Sequence, residues 1–478
     1  MHLLFRIAVL LLITAPPCVY AQDSTVHRIT LKQSVEKALA NNLQVQQSKL
    51  QNETTAIQLR QAKANAFPDL FGNLGHGLNQ GRSIDPFTNT YINQQVSYAS
   101  YNLNSSVILF NGFQLKNAVR QSTFNNQAAQ MDVQQTKDNI MLNVILAYVQ
   151  MLNGAEQLIQ ARNQEAVTRK QMERLETLNK AGAITPVLLY DLKGQLANDE
   201  LAIVSSANEL NAARLSLCQQ MNVPYDKDLQ VEPFTTINEE LVYDNDVPSR
   251  VYEVAEEQLA IIKAAEYRKQ SALANIKIAK GTFLPTVALS GSINTNYSNA
   301  ARRDIPLGIV DVATGDYINV NGSKVPVMTQ RRNFDIQKIP YTDQFKNNYS
   351  TSLYLSVRVP ILNGFRARNR VSLAKIDLAN ATVVEQAMRT QLNQQVEQAF
   401  FQLNAARERY KTLHRQVEDF SESFRIAEVR FNAGVLTQVD YLIAKNNVDR
   451  SKINLISAKY DCIFRSQILD YYRGKLVL

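Results

Sequence analysis

The 478-residue chain has no tryptophan, only 3 cysteines and 4 histidines, and few glycines, 16 in all. His2, His27, His76 and His414 are scattered, and neither CxxC nor HExxH occurs, so zinc hydrolysis and thiol redox chemistry lack ligands. Neither GxGxxG nor GxxxxGK(S/T) is present, which removes the phosphate cradles of nucleotide enzymes. Beyond residue 21 no run of 18 or more apolar residues exists, so no membrane-spanning helix is expected. The net charge of +8 is spread without a basic block, giving nucleic-acid binding little support. What remains, 45% hydrophobic and 20% charged, is ample for folding. The chain reads as architecture rather than as an enzyme, with no catalytic, cofactor or metal site expected.

Residues 1–21 read as an export signal: Arg6, an apolar run over 7–13, then Val19 and Ala21 at positions −3 and −1 of a cleavage site. Cys18 admits a lipoprotein alternative, although Pro16-Pro17 make a poor lipobox. Cleavage before Gln22 leaves Cys218 and Cys462, whose spacing fits no disulfide framework, so free thiols are expected.

The chain is written twice. Ile108-Leu109-Phe110-Asn111-Gly112-Phe113 returns as Pro360-Ile361-Leu362-Asn363-Gly364-Phe365, and Ala181-Gly182-Ala183-Ile184-Thr185 returns as Ala433-Gly434-Val435-Leu436-Thr437, both at an offset of 252. Equal spacing in both copies is what a rigid rod imposes. Upstream, Phe67-Pro68 and Leu284-Pro285 end related segments, 31–66 and 251–282, at an offset of 217. The 35-residue difference falls between Ser298 and Asn348, a stretch with Arg302, Arg303, Asp304, Asp316, Arg331, Arg332 and Lys338 that reads as an inserted polar loop.

Residues 114–180 hold no proline and one glycine, with Met141, Val144, Ala147, Tyr148, Met151 and Leu152 on one helical face. Such a helix is a rod of roughly 100 Å, and 366–432 is its twin. The returning helices, 186–220 and 437–473, are shorter; short segments stacked end to end, 35 with 32 residues and 37 with 36, restore the rod length. On the helices alone a coiled-coil fibre fits equally well.

Four segments alternate with period two. Tyr349, Thr351, Leu353, Leu355, Val357, Val359 and Ile361 oppose Ser350, Ser352, Tyr354, Ser356 and Arg358. Val287, Leu289, Ile293 and Tyr297 oppose Thr286, Ser290, Ser292, Asn294 and Asn296; Tyr101, Leu103, Val107 and Leu109 oppose Asn102, Asn104 and Ser106; Leu70, Leu74 and Leu78 start the remaining row. Soluble sandwich strands alternate in the same way, but rods of roughly 100 Å do not fit a sandwich. Apolar-out, polar-in strands suit a water-filled barrel in lipid. Four strands cannot close one, and lipid tolerates no open edge, so the chain must oligomerise. Two copies meet the minimum of about 8 strands and three give 12.

The repeat, the signal, the Asn-Gly-Phe strand exits, the Ala-Gly turns and the opening stretch 29–42 together make the chain resemble the outer-membrane efflux factor family typified by TolC. That resemblance implies an α+β membrane protein, internally duplicated. Long antiparallel helical hairpins form an α-barrel tunnel, and four strands per chain enter a trimeric, 12-stranded transmembrane β-barrel. The layout is a signal peptide 1–21, a first repeat 22–222 (β-hairpin about 68–110, helical hairpin about 113–220), an equatorial linker 223–250, and a second repeat 251–478. The second repeat carries a β-hairpin about 285–362, with polar loop 299–347, and a helical hairpin about 365–474.

The resemblance further implies a homotrimer in outer-membrane lipid of a Gram-negative bacterium that extends into the periplasm. It would be the passive exit duct of a tripartite efflux or type I secretion system, served by an inner-membrane pump and a periplasmic adaptor. The alternative is a secreted coiled-coil structural or adhesion protein. Carried over by position, the turns Ala181, Gly182, Ala183, Ile184, Thr185 and Ala433, Gly434, Val435, Leu436, Thr437 would dock the adaptor. Asp440 matches an acidic ring at the entrance; the family's next acid is Ile443 here, and Asp191, its equivalent by the 252 offset, is the substitute candidate. Either acid also suits a helix N-terminal end.

Overall fold

A computed structural model describes residues 28–84, 89–233 and 247–475. The expected signal peptide and Cys18 lie outside them. Two units divide the chain: a helical one (Met1–Leu50, Gln130–Lys263, Ala387–Leu478) and a second built around the strands (Gln51–Ala129, Ala264–Gln386).

Helix α1 (Leu31–Asn41) starts with a capping box: Thr30 Oγ1 accepts the Gln33 N–H at 3.1 Å, and Gln33 Oε1 accepts the Thr30 N–H at 3.2 Å. The expected single helix 31–66 breaks at Asn42, whose Oδ1 accepts the Gln44 N–H at 2.8 Å and restarts the chain as α2 (Leu43–Ala64). A short amide side chain competing for backbone donors accounts for this break. The expected helix 251–282 likewise splits into α5 (Pro248–Gln258) and α6 (Ala260–Gly281) at Leu259, the position 217 after Asn42.

The rods are α3 (Gln114–Lys180) and α8 (Arg366–Asn432), each 67 residues without a break. Returning helices α4 (Pro186–Met221) and α9 (Gln438–Tyr472) pack against α1 and α5 respectively. Asn222 Nδ2 donates to Asn41 O at 3.1 Å where α4 meets α1. Each returning helix therefore meets the short helix of its own repeat, whereas the sum of 35 and 32 residues had mixed the two.

One core of this unit centres on Tyr148, 1% exposed, among Val35, Val144, Ile145, Leu217 and Met221. The Tyr148 hydroxyl donates to Ile29 O at 3.1 Å and Glu232 O at 2.7 Å, and burial pushes its pKa up to about 12. It thereby clamps β1 (Arg28–Ile29) against its parallel partner β6 (Gln230–Val231), which lies in the linker 223–250. Cys218 and Cys462 are separate buried thiols.

The second unit carries an antiparallel sheet of order β10-β7-β5-β2, comprising β2 (Asp69–Asn79), β5 (Val96–Asn111), β7 (Thr286–Ser298) and β10 (Ser350–Arg358). A small hairpin, β3 (Arg82–Ile84) with β4 (Tyr91–Asn93), lies between β2 and β5 in the chain. The registers Leu74↔Tyr101, Leu103↔Ile293 and Leu289↔Leu355 put the apolar rows on one face. Ser100, Asn102, Asn104, Ser290, Ser292, Asn294, Ser352 and Ser356 share the other. The strands leave at Phe113 and Phe365, both at positive φ, 61° and 60°.

Residues 299–347, expected as a polar loop, are structured. They form a long antiparallel ribbon, β8 (Arg302–Val320) with β9 (Ser323–Lys338), followed by the short helix α7 (Tyr341–Asn347). Apolar side chains stand exposed on both ribbon faces, Ile309 and Phe334 on one and Val310 and Val325 on the other, so no single period-two row marks it. At its root Gln344, 1% exposed, accepts the Ser298 N–H at 2.9 Å and donates to Ser298 O and Ile339 O, both at 2.9 Å.

Candidate functional site

Both turns singled out from the sequence, 181–185 and 433–437, belong to the helical unit and close their rods alike. The Gly182 N–H donates to Asn179 O at 3.0 Å and the Ala183 N–H to Leu178 O at 2.9 Å. In the second copy the Gly434 N–H donates to Phe431 O at 3.1 Å and the Val435 N–H to Arg430 O at 2.9 Å. This is a Schellman cap, whose C′ residue takes positive φ; Gly182 and Gly434 have φ of 73° and 74°. A Cβ on either would meet nothing within 4 Å, so backbone conformation rather than crowding selects glycine. Ala181, Ala183, Thr185, Ala433, Val435 and Thr437 are exposed around them, with Ile184 and Leu436 half-buried.

The restarts differ. Thr437 caps α9, its Oγ1 accepting the Asp440 N–H at 3.2 Å and donating to the Asp440 carboxylate at 2.6 Å. Asp440 is thus exposed, bonded into the cap, and set at the positive end of its helix. Thr185 makes no side-chain cap, Pro186 takes the first helical position, and Leu188 stands where the repeat offset places Asp440. Asp191 is exposed past the first turn of α4 and makes no ion pair among the described residues. Val187, Tyr190, Val435, Val439 and Ile443, each more than half exposed, surround the two acids with apolar surface.

Behind the turns the two hairpins are stitched together. Arg174 Nη2 donates to Asn432 O at 2.9 Å and Gln438 Nε2 to Leu188 O at 2.7 Å. Leu175, Leu189 and Leu192 make a small core with Ile184, Phe431 and Leu442. Tyr441 stacks on Phe431 at 4.7 Å; burial, with Glu428, Asp449 and Asp199 nearby, holds its hydroxyl pKa well above the ordinary value.

Farther along lies a cluster that the sequence reading did not single out. Lys445, 1% exposed, donates from Nζ to Asp199 Oδ2 at 3.0 Å and Asp449 Oδ2 at 2.6 Å. Asp199 also accepts from the Thr168 hydroxyl and from Gln195 Nε2 at 2.8 Å, while Gln164 Nε2 donates to Asp449 O at 3.3 Å. One ammonium between two carboxylates ties α3, α4 and α9 together. Burial pushes the Asp449 carboxyl above its usual range, against the pull of Lys445. The signal was present: Asp199 continues the apolar seam Leu189, Leu192, Leu196, and Lys445 interrupts Tyr441 and Val448 at the same spacing.

The model of the outer membrane efflux protein family matches residues 34–223 and 251–470, the two repeats in turn. The chain belongs to that family. It is similar to the outer membrane efflux protein BepC of Brucella suis, 21% identical over 455 residues that cover 94% of this chain and 86% of BepC. Among solved structures it resembles the outer membrane protein VceC of Vibrio cholerae, 16% identical at a TM-score of 0.74, covering 93% of this chain and 96% of VceC. It also resembles the CmeC outer membrane channel of Campylobacter jejuni, 15% identical at 0.72, covering 93% and 86%. The chain is an efflux channel of the outer membrane, and its family and fold are those of channels. Among the described residues no helix is long and apolar enough to cross a membrane.

Proposed function

We propose that three copies close one 12-stranded barrel and one helical tunnel, forming the passive exit duct of a tripartite efflux or type I secretion assembly. The observation that carries this reading is the four-stranded sheet with two free edges, β2 and β10, one apolar face and one of serine and asparagine. Along β10-β7-β5-β2 the strands alternate in direction, so β10 of one copy meets β2 of the next antiparallel, as an even-stranded outer-membrane barrel requires.

Dimensions and belts agree with lipid. The ten-residue rise from Val287 to Tyr297 is about 33 Å along the strand, or about 25 Å after tilting, the height of an outer-membrane apolar band. At one limit stand Phe67, Phe113, Phe283 and Phe365, all exposed at strand–helix junctions. At the other, Tyr297 meets Tyr341 at 4.9 Å and Tyr101 meets Phe345 at 5.7 Å. Exposed apolar rows on α2 (Leu43, Leu50, Ile57) and α8 (Leu373, Ile376, Val383) supply surface for neighbouring copies.

The duct extends into the periplasm, where the turns 181–185 and 433–437 dock a periplasmic adaptor through their exposed small residues and the apolar side chains beside them. Asp440 from three copies forms an acidic ring at the entrance, with Asp191 as a second acid on the neighbouring helix. An inner-membrane pump supplies the driving force. The test is fractionation of the exporting cell: heat-modifiable, detergent-requiring trimers in the outer membrane, crosslinked to an adaptor through Gly434→Cys, are expected. A soluble extended monomer would favour the secreted coiled-coil alternative and end this reading.

A further inference from the structure

The four barrel strands contain one carboxylate and one strong cation among Asp, Glu, Lys and Arg: Asp69 and Arg358. Asp69 is the first residue of β2 and Arg358 the last of β10, the two edge strands. Both point to the serine–asparagine face, as the registers Asp69↔Ser106 and Ser290↔Tyr354 on one row, with Arg358 four residues below Tyr354, require. Within one copy the sheet keeps them apart. Asp69 uses Oδ1 for the Ser106 N–H at 2.7 Å and the Ser106 hydroxyl at 2.8 Å, and its Oδ2 has no partner among the described residues. Arg358 is exposed, and its side chain makes no hydrogen bond or ion pair among the described residues.

We propose that Arg358 pairs with Asp69 of the partner subunit, so that three lumen-facing ion pairs lock the three seams of the barrel and set their register. The proposal rests on the trimeric reading above and names the partner chemistry of its edges. Placing opposite charges on opposite edges makes each edge complementary to the other and not to itself, which favours a ring of β10 against β2 over pairing of like edges.

Barrel geometry brings the two groups within reach. Twelve strands tilted about 35–45°, with spacings of about 4.8 Å between strands and about 3.4 Å along them, give a stagger of about four to six residues per copy. The ladder row through Ser356, Ala288 and Ile108 meets the line of β2 two positions before Asp69. With strand ends at one membrane level, a stagger of about four residues sets Arg358 directly opposite Asp69 of the partner subunit; about six leaves it on the diagonal, still within reach of an arginine. A seam that copied the internal β5–β7 register, in which Ser106 faces Ser290, would by the repeat offsets place Arg358 beside Asn73 of the partner subunit instead.

The test uses the full channel in detergent. A short bismaleimide crosslinker on Asp69→Cys/Arg358→Cys is expected to yield covalent trimers at least as readily as on Asn73→Cys/Arg358→Cys. In a second experiment Asp69→Asn and Arg358→Gln each speed dissociation of the SDS-resistant trimer about fivefold per seam, and the double variant goes no faster than either single. Assembled trimers that crosslink only through position 73, or singles whose effects simply add, would overturn the pairing while leaving the trimer intact. A wild-type particle that is not a trimer would overturn both.

Discussion

Lys445 is the most informative residue to remove. Its ammonium neutralises Asp199 and Asp449 in a site where all three side chains are buried or nearly so, at 1%, 8% and 16% exposure. Lys445→Met fills the volume but leaves two carboxylates facing each other. Deleting one partner of a buried ionic group costs about 3–5 kcal/mol. Because the cluster joins α3, α4 and α9 next to the turns, the loss falls on local opening of that region rather than on the strands. At about 3 kcal/mol, amide hydrogen exchange in peptides covering 186–205 and 438–452 accelerates more than roughly a hundredfold. The triple variant Lys445→Met/Asp199→Leu/Asp449→Asn removes the charges together, and Thr168 keeps its bond to Gln164 O at 3.1 Å. It is expected to exchange within about tenfold of wild type, since apolar replacements for whole buried ion clusters are often neutral. Wild-type exchange in Lys445→Met, or a triple as labile as the single, would refute this reasoning.

Further expectations follow from the same geometry. Burial raises Asp449 above its ordinary 3.8, so the folded state binds its proton more tightly than the unfolded one. Its contribution to stability therefore grows as pH falls through the raised value and is lost as pH rises. Exchange in 438–452, corrected for intrinsic rates, should slow as pH falls from neutrality toward the ordinary carboxylate range, and Asp449→Asn should abolish that slope. Gly434→Ala forces a Cβ into left-handed backbone at a site with open space, costing about 1–2 kcal/mol of local stability; Gly182→Ala should match it, and thermal melts that separate the two would contradict the shared cap. Asp440→Ala breaks the bond to Thr437 and is expected to weaken block of channel current by multivalent cations in planar bilayers; unchanged block would exclude the acidic ring.

The rods were legible because nothing interrupts them: 114–180 and 366–432 carry the helical period between Asn-Gly-Phe and Ala-Gly punctuation, and the observed bounds coincide with it. The barrel strands were legible because one face is mostly apolar, so Leu103, Ile293 and Leu355 declare themselves. The ribbon 302–338 was hidden for the opposite reason. With apolar and charged side chains on both faces, as in Ile309 opposite Arg332 and Val310 opposite Arg331, it has no one-sided period. The break at Asn42 depends on one side-chain acceptor, which composition does not reveal. Of the candidate site, the turns stood out through the repeat, and Asp440 was proposed from the family resemblance, since its repeat equivalent is Leu188. The Lys445 cluster was missed because Asp199 and Lys445 are 246 residues apart and not repeat equivalents; only an interrupted apolar seam marked them.

Counting copies tests the channel most directly, because a four-stranded sheet with two free edges is the reason for everything built on it. Native mass spectrometry of the particle released from outer membranes in mild detergent should give three chains and no stable smaller species. A stable monomer, or a closed dimer of eight strands, would contradict the shared barrel.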